Sequence, residues 1–295
     1  MSVSPSLPSL FSSPSAVVSR LRTAGCVFAE DEARLILSTA RTPVELAAMV
    51  ERRAAGVPLE QVLGWAEFCG LRIAVEPGVF VPRRRTEFLV GQAVALLREA
   101  LGPRRRAVVV DLCCGSGAVA AALRAAVDGD RVEWHAADIE PAAVHCARRN
   151  LGAGAEVYEG DLCDPLPERL RGRVDVLVAN APYVPTDEFG LLPPEARLHE
   201  PRVALDGGAD GLDVQRRVTA EARAWLAPGG HLLVETSERQ VAGTVTSFSR
   251  NGLAPRVSRC EDLSATVVIG TRTAGERVVP RSGGMTDRRA DRLSG

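Results

Sequence analysis

Apolar residues recur at helical spacing from about residue 16 to 63, in the groups Val17, Val18, Leu21, then Ala33, Leu35, Ile36, Leu37, then Leu46, Met49, Val50. Thr42-Pro43 reads as an N-cap followed by Pro at the first helical position, and Gly25 and Gly56 punctuate helix ends. A small helical unit is therefore expected first. Phe68 to Val75 alternates like a strand, and Glu76-Pro77-Gly78 is predicted to turn it back into Val79-Phe80-Val81 as a connecting hairpin. A helical pattern resumes over Thr86–Leu101 and is closed by Gly102-Pro103.

Beyond Ala107 the period changes. Short apolar runs at Val108–Val110, Val132–Ala137, Ala155–Tyr158, Val174–Ala179 and His231–Glu235 alternate with helical stretches at Ala118–Val127, Pro141–Asn150 and Gly211–Leu226. Continuous apolar strands separated by helices imply a parallel sheet covered on both faces. Pro255–Val257 and Thr266–Ile269 have no helix between them and predict an antiparallel hairpin at one edge. The predicted organisation is a disordered lead (1–15), a helical recognition domain (16–66), a linking hairpin (67–81), an α/β domain (82–270) and a polar, disordered tail (271–295).

Composition narrows the class. With 46% hydrophobic and 25% charged residues over 295 positions, the chain reads as soluble and globular. A net charge of −1 offers no general attraction to nucleic acid or to an anionic membrane. No run approaches the roughly 20 apolar residues needed to span a bilayer. The Ser/Pro-rich start lacks the charged and apolar regions of a signal peptide. All 36 Lys-or-Arg positions are Arg, which excludes a Schiff-base Lys, a catalytic Lys base and a phosphate-loop Lys. The seven Cys form no CxxC pair and read as reduced thiols of a cytoplasmic protein. His135, His145, His199 and His231 have no ligand spacing with them, so no metal site is expected. No Gly-x-Ser-x-Gly elbow is present, which disfavours a hydrolase.

The chemistry lies at the strand ends. Asp111-Leu112-Cys113-Cys114-Gly115-Ser116-Gly117 follows a strand and opens a helix, the setting of a nucleotide-type turn. It lacks the three-glycine pattern that suits a pyrophosphate, and fits better a ligand with a carboxylate and a sulfonium. Asp138 closes the second strand where an acidic group would hold ribose hydroxyls, and Asp161-Leu162 closes the third where it could cover an adenine. Asn180-Ala181-Pro182-Tyr183 closes the fourth. There the Asn180 side-chain oxygen and the Ala181 carbonyl could each accept one hydrogen of a planar NH2 group and aim its lone pair at an electrophile.

These residues carry a resemblance. The chain resembles the HemK/PrmC protein-(glutamine-N5) methyltransferases, and an actinobacterial-type branch of them, over roughly Leu35 to Gly270. The likeness rests on Pro58 to Gly64 with Phe68 and Gly70, on Val81 to Glu87, on the Asp111–Gly117 turn, Asp138 and Asn180–Tyr183, and on Glu200 to Leu212. It implies a seven-stranded, Rossmann-like class I methyltransferase sheet with an antiparallel final hairpin, behind a small N-terminal helical domain. It also implies S-adenosyl-L-methionine as donor, held by Cys113, Cys114, Gly115, Ser116, Gly117, Asp138, Asp161, Leu162 and Asn180. The implied acceptor is a protein glutamine, typically in the Gly-Gly-Gln loop of a peptide-chain release factor. Asn180 and Tyr183 would be catalytic, with Asn180, Ala181, Pro182 and Tyr183 binding the substrate.

Three positions depart from the family pattern: Ala181 stands for a Pro, Cys113 for a frequent Gly, and Arg84 for a usual Pro. The expected activity is N5-methylation of a protein glutamine by a cytoplasmic monomer that binds neither nucleic acid stably nor a membrane. N6-adenine methylation of DNA or RNA stays open as an alternative, because the same slot accepts an exocyclic amine. So does a non-catalytic, cofactor-binding scaffold.

Overall fold

The computed structural model describes residue 11 and residues 13–101, 106–127 and 129–273. The Gly102-Pro103 stop, Arg104, Arg105, the lead through residue 10 and the tail from residue 274 lie outside the described residues. Of the predicted lead (1–15), Pro14 and Ser15 instead open the first helix, and of the predicted tail (271–295), Thr271 and Arg272 instead extend the last strand, paired with Ala254 and Leu253.

Three helices, α1 (Pro14–Thr23), α2 (Ala29–Thr39) and α3 (Pro43–Ala54), and a single turn, α4 (Leu59–Leu63), enclose their own core of Val17, Leu21, Ala33, Ile36, Val50 and Val62. The start of α3 follows from local chemistry. Thr42 Oγ1 accepts the Glu45 N–H at 3.1 Å, satisfying an orphan donor of the first turn, and Glu45 Oε2 reaches back past the cap to accept the Arg41 N–H at 2.8 Å. Such a cap contributes roughly 0.5–2 kcal/mol. Arg53, buried at the end of α3, donates to both oxygens of Glu32 at 2.6 and 3.1 Å and to Glu195 at 2.7 Å. Gln61 reaches the carbonyls of Val79 and His199. The helical unit is thus tied to the segment around residues 195–199.

The hairpin forms earlier than the alternation predicted. β1 (Trp65–Phe68) pairs with β2 (Leu71–Ala74) across Cys69-Gly70, with Phe68 opposite Leu71. Both turn residues have positive φ, 50° and 73°, the backbone of a type I′ turn. Val79–Val81 form no strand; Val79 and Val81 are simply buried. A Cys in the left-handed region is an uncommon turn residue, so the reversal at 69–70 was masked while Glu76-Pro77-Gly78 looked like the turn.

After α5 (Glu87–Ala100) come β3 (Ala107–Leu112), α6 (Ala118–Ala126), β4 (Val132–Asp138), α7 (Pro141–Leu151), β5 (Glu156–Glu159), β6 (Val174–Ala179), α8 (Pro194–His199), α9 (Asp213–Trp225), β7 (Leu226–Thr236), α10 (Val241–Arg250), β8 (Leu253–Cys260) and β9 (Ala265–Arg272). The sheet has seven strands in the order β5-β4-β3-β6-β7-β9-β8, parallel except for β9, which runs antiparallel to both neighbours. This is the expected class I methyltransferase sheet with a reversed final hairpin. Pro255 sits in the edge strand β8, where a missing ladder donor is tolerated.

The pleat sorts alternate residues onto two cores. Val109, Trp134, Val176, Val178 and Leu233 pack under α5 and α6, whereas Val108, Val110, Leu177, Leu232 and Val234 pack under α9 and α10. β3 and β6 are buried at every position. Strand order reverses between them, so the crevice at their carboxyl ends is where an open sheet of this kind binds ligands.

Candidate active site

The register brings the predicted strand ends together. Leu112 lies opposite both Ala137 and Ala179, and Ala179 lies opposite Val234, so Cys113, Asp138, Asn180 and Glu235 emerge side by side. One cavity at this edge is lined by Asp111, Cys113 to Ser116, Ala137 to Glu140, Asp161, Leu162, Asn180 and Pro182, with Phe68, Phe80 and Thr86 closing it. Eight of the nine residues predicted to face a cofactor line it; Gly117 does not. A Cβ on Gly117 would stand 3.1 Å from the Ala147 Cβ, so this glycine serves the close approach of α6 to α7. Gly115, by contrast, has φ +53° and open space around its missing Cβ.

The turn is held by carboxylates. Asp138 Oδ2 accepts the Gly115 N–H at 2.8 Å, and its Oδ1 accepts the Glu140 N–H at 3.0 Å. Each oxygen keeps a further lone pair for a ligand hydroxyl. Asp111 Oδ2 accepts the Ala120 N–H at 3.1 Å in the first turn of α6. Burial lifts its carboxyl to about 7 despite that bond. Cys113 takes φ +53°, the left-handed conformation its usual Gly would adopt freely, at a cost of roughly 1–2 kcal/mol. Burial among the carboxylates Asp138 and Asp111 pushes its thiol, and that of Cys114, well above the usual range, so both are neutral. Leu162 is also left-handed, at φ 48°, which turns its buried side chain into the cavity wall. Asp161 sits at the rim, paired with Arg217 at 2.6 Å. Two carboxylates, an open glycine turn at a helix N-terminus and apolar plates formed by Leu162 and Phe80 suit a ligand with ribose hydroxyls, a base and a cationic centre. The residues fit S-adenosylmethionine.

A second cleft, lined by Phe80, Arg83, Arg85, Asn180 to Val184, Leu192, Pro193, Glu195 and Ala196, opens on the other side of the Asn180 segment. Asn180 and Pro182 line both spaces and form the wall between them. Asn180 Nδ2 donates to Thr86 Oγ1 at 3.4 Å, and its Oδ1 has no hydrogen-bond partner among the described residues. Ala181 is buried, and the backbone after it is clamped by the Gly207–Gly211 loop. A Cβ on Gly207 would meet the Pro182 oxygen at 2.7 Å, and one on Gly211 the Tyr183 oxygen at 2.3 Å. Gln240 Nε2 completes the clamp by donating to the Tyr183 and Asp210 carbonyls at 2.9 and 3.0 Å.

Tyr183 points its hydroxyl at Glu235 Oε1, 3.4 Å away, and Arg85 Nε donates to the same oxygen at 3.2 Å. Burial and that carboxylate push the Tyr183 phenol up to about 12, so it is a neutral donor. Burial raises the Glu235 carboxyl as well, opposed by Thr86, Arg85 and Tyr183. Within the basic run at 83–85, Arg83 is taken by Glu200, donating to its two oxygens at 2.7 and 2.6 Å, and Arg84 is exposed. Thr86, Gly207 and Gly211 lie inside the sequence blocks that carry the family resemblance, but no role at the site was read for them; Glu235 and Gln240 were not singled out at all. Glu235 did carry a signal: like Asp138 and Asn180, it is a polar residue ending an apolar strand run.

Comparison with known proteins identifies the family. The family model described as "Methyltransferase small domain" matches residues 70–190. The chain is 41% identical over 216 residues to the release factor glutamine methyltransferase of Geobacter sulfurreducens, covering 71% of this chain and 72% of that one. With the release factor glutamine methyltransferase of Mycolicibacterium smegmatis it shares 40% identity over 240 residues, 79% of this chain and 82% of the relative. A 4-amino-L-phenylalanine/4-methylamino-L-phenylalanine methyltransferase of Streptomyces pristinaespiralis is 41% identical over 208 residues, 69% of each chain. With the strand-tip slot, the methyltransferase sheet and relatives matched over most of both lengths, the chain belongs to the release factor glutamine methyltransferase family and is a methyltransferase.

Proposed function

We propose that this enzyme methylates the side-chain nitrogen of a glutamine in a protein, using S-adenosylmethionine, and that the protein is a peptide-chain release factor. One observation carries the reading: Asn180 and Pro182 form the wall shared by the cofactor-side cavity and the substrate-side cleft. A donor on one side and an acceptor nitrogen on the other meet across that wall. S-adenosylmethionine supplies an electrophilic methyl group there.

The chain's own residues prepare the acceptor. Asn180 Oδ1 and the Ala181 carbonyl each accept one hydrogen of the glutamine NH2, and Tyr183 packs against the side chain. Amide resonance, of the order of the ~18–20 kcal/mol that opposes peptide rotation, makes such a nitrogen a poor nucleophile. Two acceptors held in fixed directions favour the pyramidal nitrogen of the transition state over the planar ground state. The loop that clamps residues 182–183 supplies rigidity that a Pro at position 181 would otherwise add.

A protein acceptor is supported by the cleft's surroundings. Leu191, which precedes the lining residue Leu192, and Leu198, in the same short helix as the lining residues Glu195 and Ala196, expose 82% and 68% of their surface, apolar area suited to a polypeptide. The helical unit, residues 16–66, is bound to the cleft wall through Arg53–Glu195, which suits a role in holding the substrate protein. Among the described residues no helix is long and apolar enough to cross a membrane, and action on the translation machinery fits a cytoplasmic enzyme.

The test is direct. Isotope-labelled donor is incubated with the enzyme and, in parallel, with a release factor, free 4-aminophenylalanine and adenine-containing DNA and RNA, and products are read by mass spectrometry. Label on one glutamine of the release factor supports the reading. Label only on the free amine or on adenine refutes it.

A further inference from the structure

Behind Asn180 lies a buried polar chain that the transfer reaction does not itself require. Thr86 accepts from Asn180 Nδ2 at 3.4 Å and is almost fully buried. The register sets Glu235 beside Asn180 at the tip of the neighbouring strand. The Thr86 hydroxyl lies near enough to the Glu235 carboxylate to favour its charged form, although no Thr86–Glu235 hydrogen bond is formed among the described residues. Glu235 is 2% exposed; its Oε1 collects Tyr183 and Arg85, while its Oε2 is buried without a hydrogen-bond partner among the described residues. A buried carboxylate oxygen left bare is costly, and an adjacent hydroxyl is the natural donor to it.

Resting on the glutamine reading above, we propose that Glu235 is a positioning residue which, through the Thr86 hydroxyl, holds the Asn180 amide in the single orientation that offers Oδ1 to the methyl acceptor. A threonine hydroxyl has one hydrogen. When that hydrogen is given to an ionised Glu235, the Thr86 oxygen can only accept, so the Asn180 amide must turn its NH2 toward Thr86. Oδ1 then faces the acceptor. If Glu235 carries a proton it can donate to Thr86 instead. Thr86 is then free to donate to Asn180, and the amide can flip, presenting an NH2 to the substrate NH2. Donor would face donor, and the slot would fail.

The direction with pH follows. Burial raises the Glu235 carboxyl above the ordinary carboxylate range. The competent orientation is therefore lost as pH falls through that raised value. The charged and titratable groups facing the carboxylate are Arg85 and Tyr183. The cleft beyond Tyr183 adds Glu238, Arg259 and Glu261, of which Glu238 and Arg259 pair with each other. Gln215 donates to the Glu235 backbone carbonyl and leaves the carboxylate alone.

The experiment uses the full chain at saturating donor with a glutamine-bearing protein substrate, comparing Glu235→Gln, Thr86→Val and Thr86→Ser. Glu235→Gln is isosteric, yet its amide can donate to Thr86. It should lower kcat by about 30-fold or more with donor affinity within about threefold, and erase the acid limb of the kcat profile. Thr86→Val should cost about tenfold in kcat, and Thr86→Ser should recover most of that loss. Donor binding by calorimetry establishes that each variant is folded. Glu235→Gln with kcat within about threefold of the parent, or with its acid limb intact, overturns the proposal. So does a loss of kcat matched by an equal loss of donor binding, which marks a structural role only. If the parent enzyme methylates no glutamine, the function reading fails separately. The side-chain amide resonances of Asn180 then decide this proposal: they should respond to Glu235→Gln and to acid, and an amide indifferent to both refutes it.

Discussion

The two sides of the crevice are built differently. On the donor side, Asp111 to Gly117 and Asp138 lie within 30 residues of one another, and local rules suffice: a strand end, an open glycine turn, a helix N-terminus and a carboxylate one strand over. On the acceptor side, four residues at the tip of β6 are held by groups from far along the chain. Thr86 fixes the Asn180 amide, Gly207 and Gly211 press on the Pro182 and Tyr183 backbone, and Glu235 and Gln240 hold Tyr183 from behind. The glycine turn and its carboxylate thus belong to one βαβ unit, although Asp161, Leu162 and Asn180 join them from farther along the chain to line the same cavity. On the proposed reading, acceptor binding draws on the assembled fold and can be lost while the donor turn stands.

Four substitutions would break or sharpen that contrast. The largest effect is expected for Asn180→Ala, which should cut turnover by about 10³-fold or more while donor affinity, measured by calorimetry, stays within about twofold. Equal losses in both would erase the division between the two sides. Asp138→Ala should do the converse, weakening donor binding by roughly 10–100-fold, because the Gly115 N–H loses its anchor and the ribose its acceptor. Gly211→Ala comes next. Its Cβ would stand 2.3 Å from the Tyr183 oxygen at φ +75°, so a loss of about 1–3 kcal/mol in denaturant stability and a fall in kcat larger than the fall in donor affinity are expected. The smallest effect belongs to Ala181→Pro, which keeps the carbonyl and should change kcat by less than about threefold, since the glycine clamp already holds the segment.

Asp111 offers a pH test of the donor side. Its folded carboxyl titrates near 7 against an ordinary 3.8, so between those values the folded protein binds more protons than the unfolded chain. Stability from this group therefore falls as pH rises through that window. Asp111→Asn should flatten the slope, read as Tm against pH.

Sequence legibility followed the same division. The sheet, its helices and its reversed edge hairpin were readable because the short, continuous apolar runs at Val108–Val110, Val174–Ala179 and Thr266–Ile269 are too short for helices and are spaced by helical stretches or, at the edge, by none. Eight of the nine donor-side residues line one cavity because strand ends in a parallel sheet converge by topology. The β1–β2 turn was hidden because Cys69 adopts a conformation that sequence patterns assign to Gly or Asn. Gly117 was expected at the ligand because a glycine motif does not say which of its residues faces a ligand and which faces a neighbouring helix. Thr86, Glu235 and Gln240 were unreadable as a group. Their significance is a matter of which atoms meet at separations of 52 to 94 residues, and no periodicity encodes that.

Arg53 has a mechanical consequence for substrate entry. Its guanidinium is shared between Glu32, in the same helical unit, and Glu195, on the wall of the acceptor cleft. Were the wall to swing outward, Arg53 would keep the two-pronged grip of Glu32, and Glu195, 44% exposed at its side chain, would pass into water. Neither ion is stranded in an apolar interior, so this pair can part at small energetic cost and reclose on the same charge, which leaves the buried Gln61 bond to the His199 carbonyl as the firmer tie across the seam.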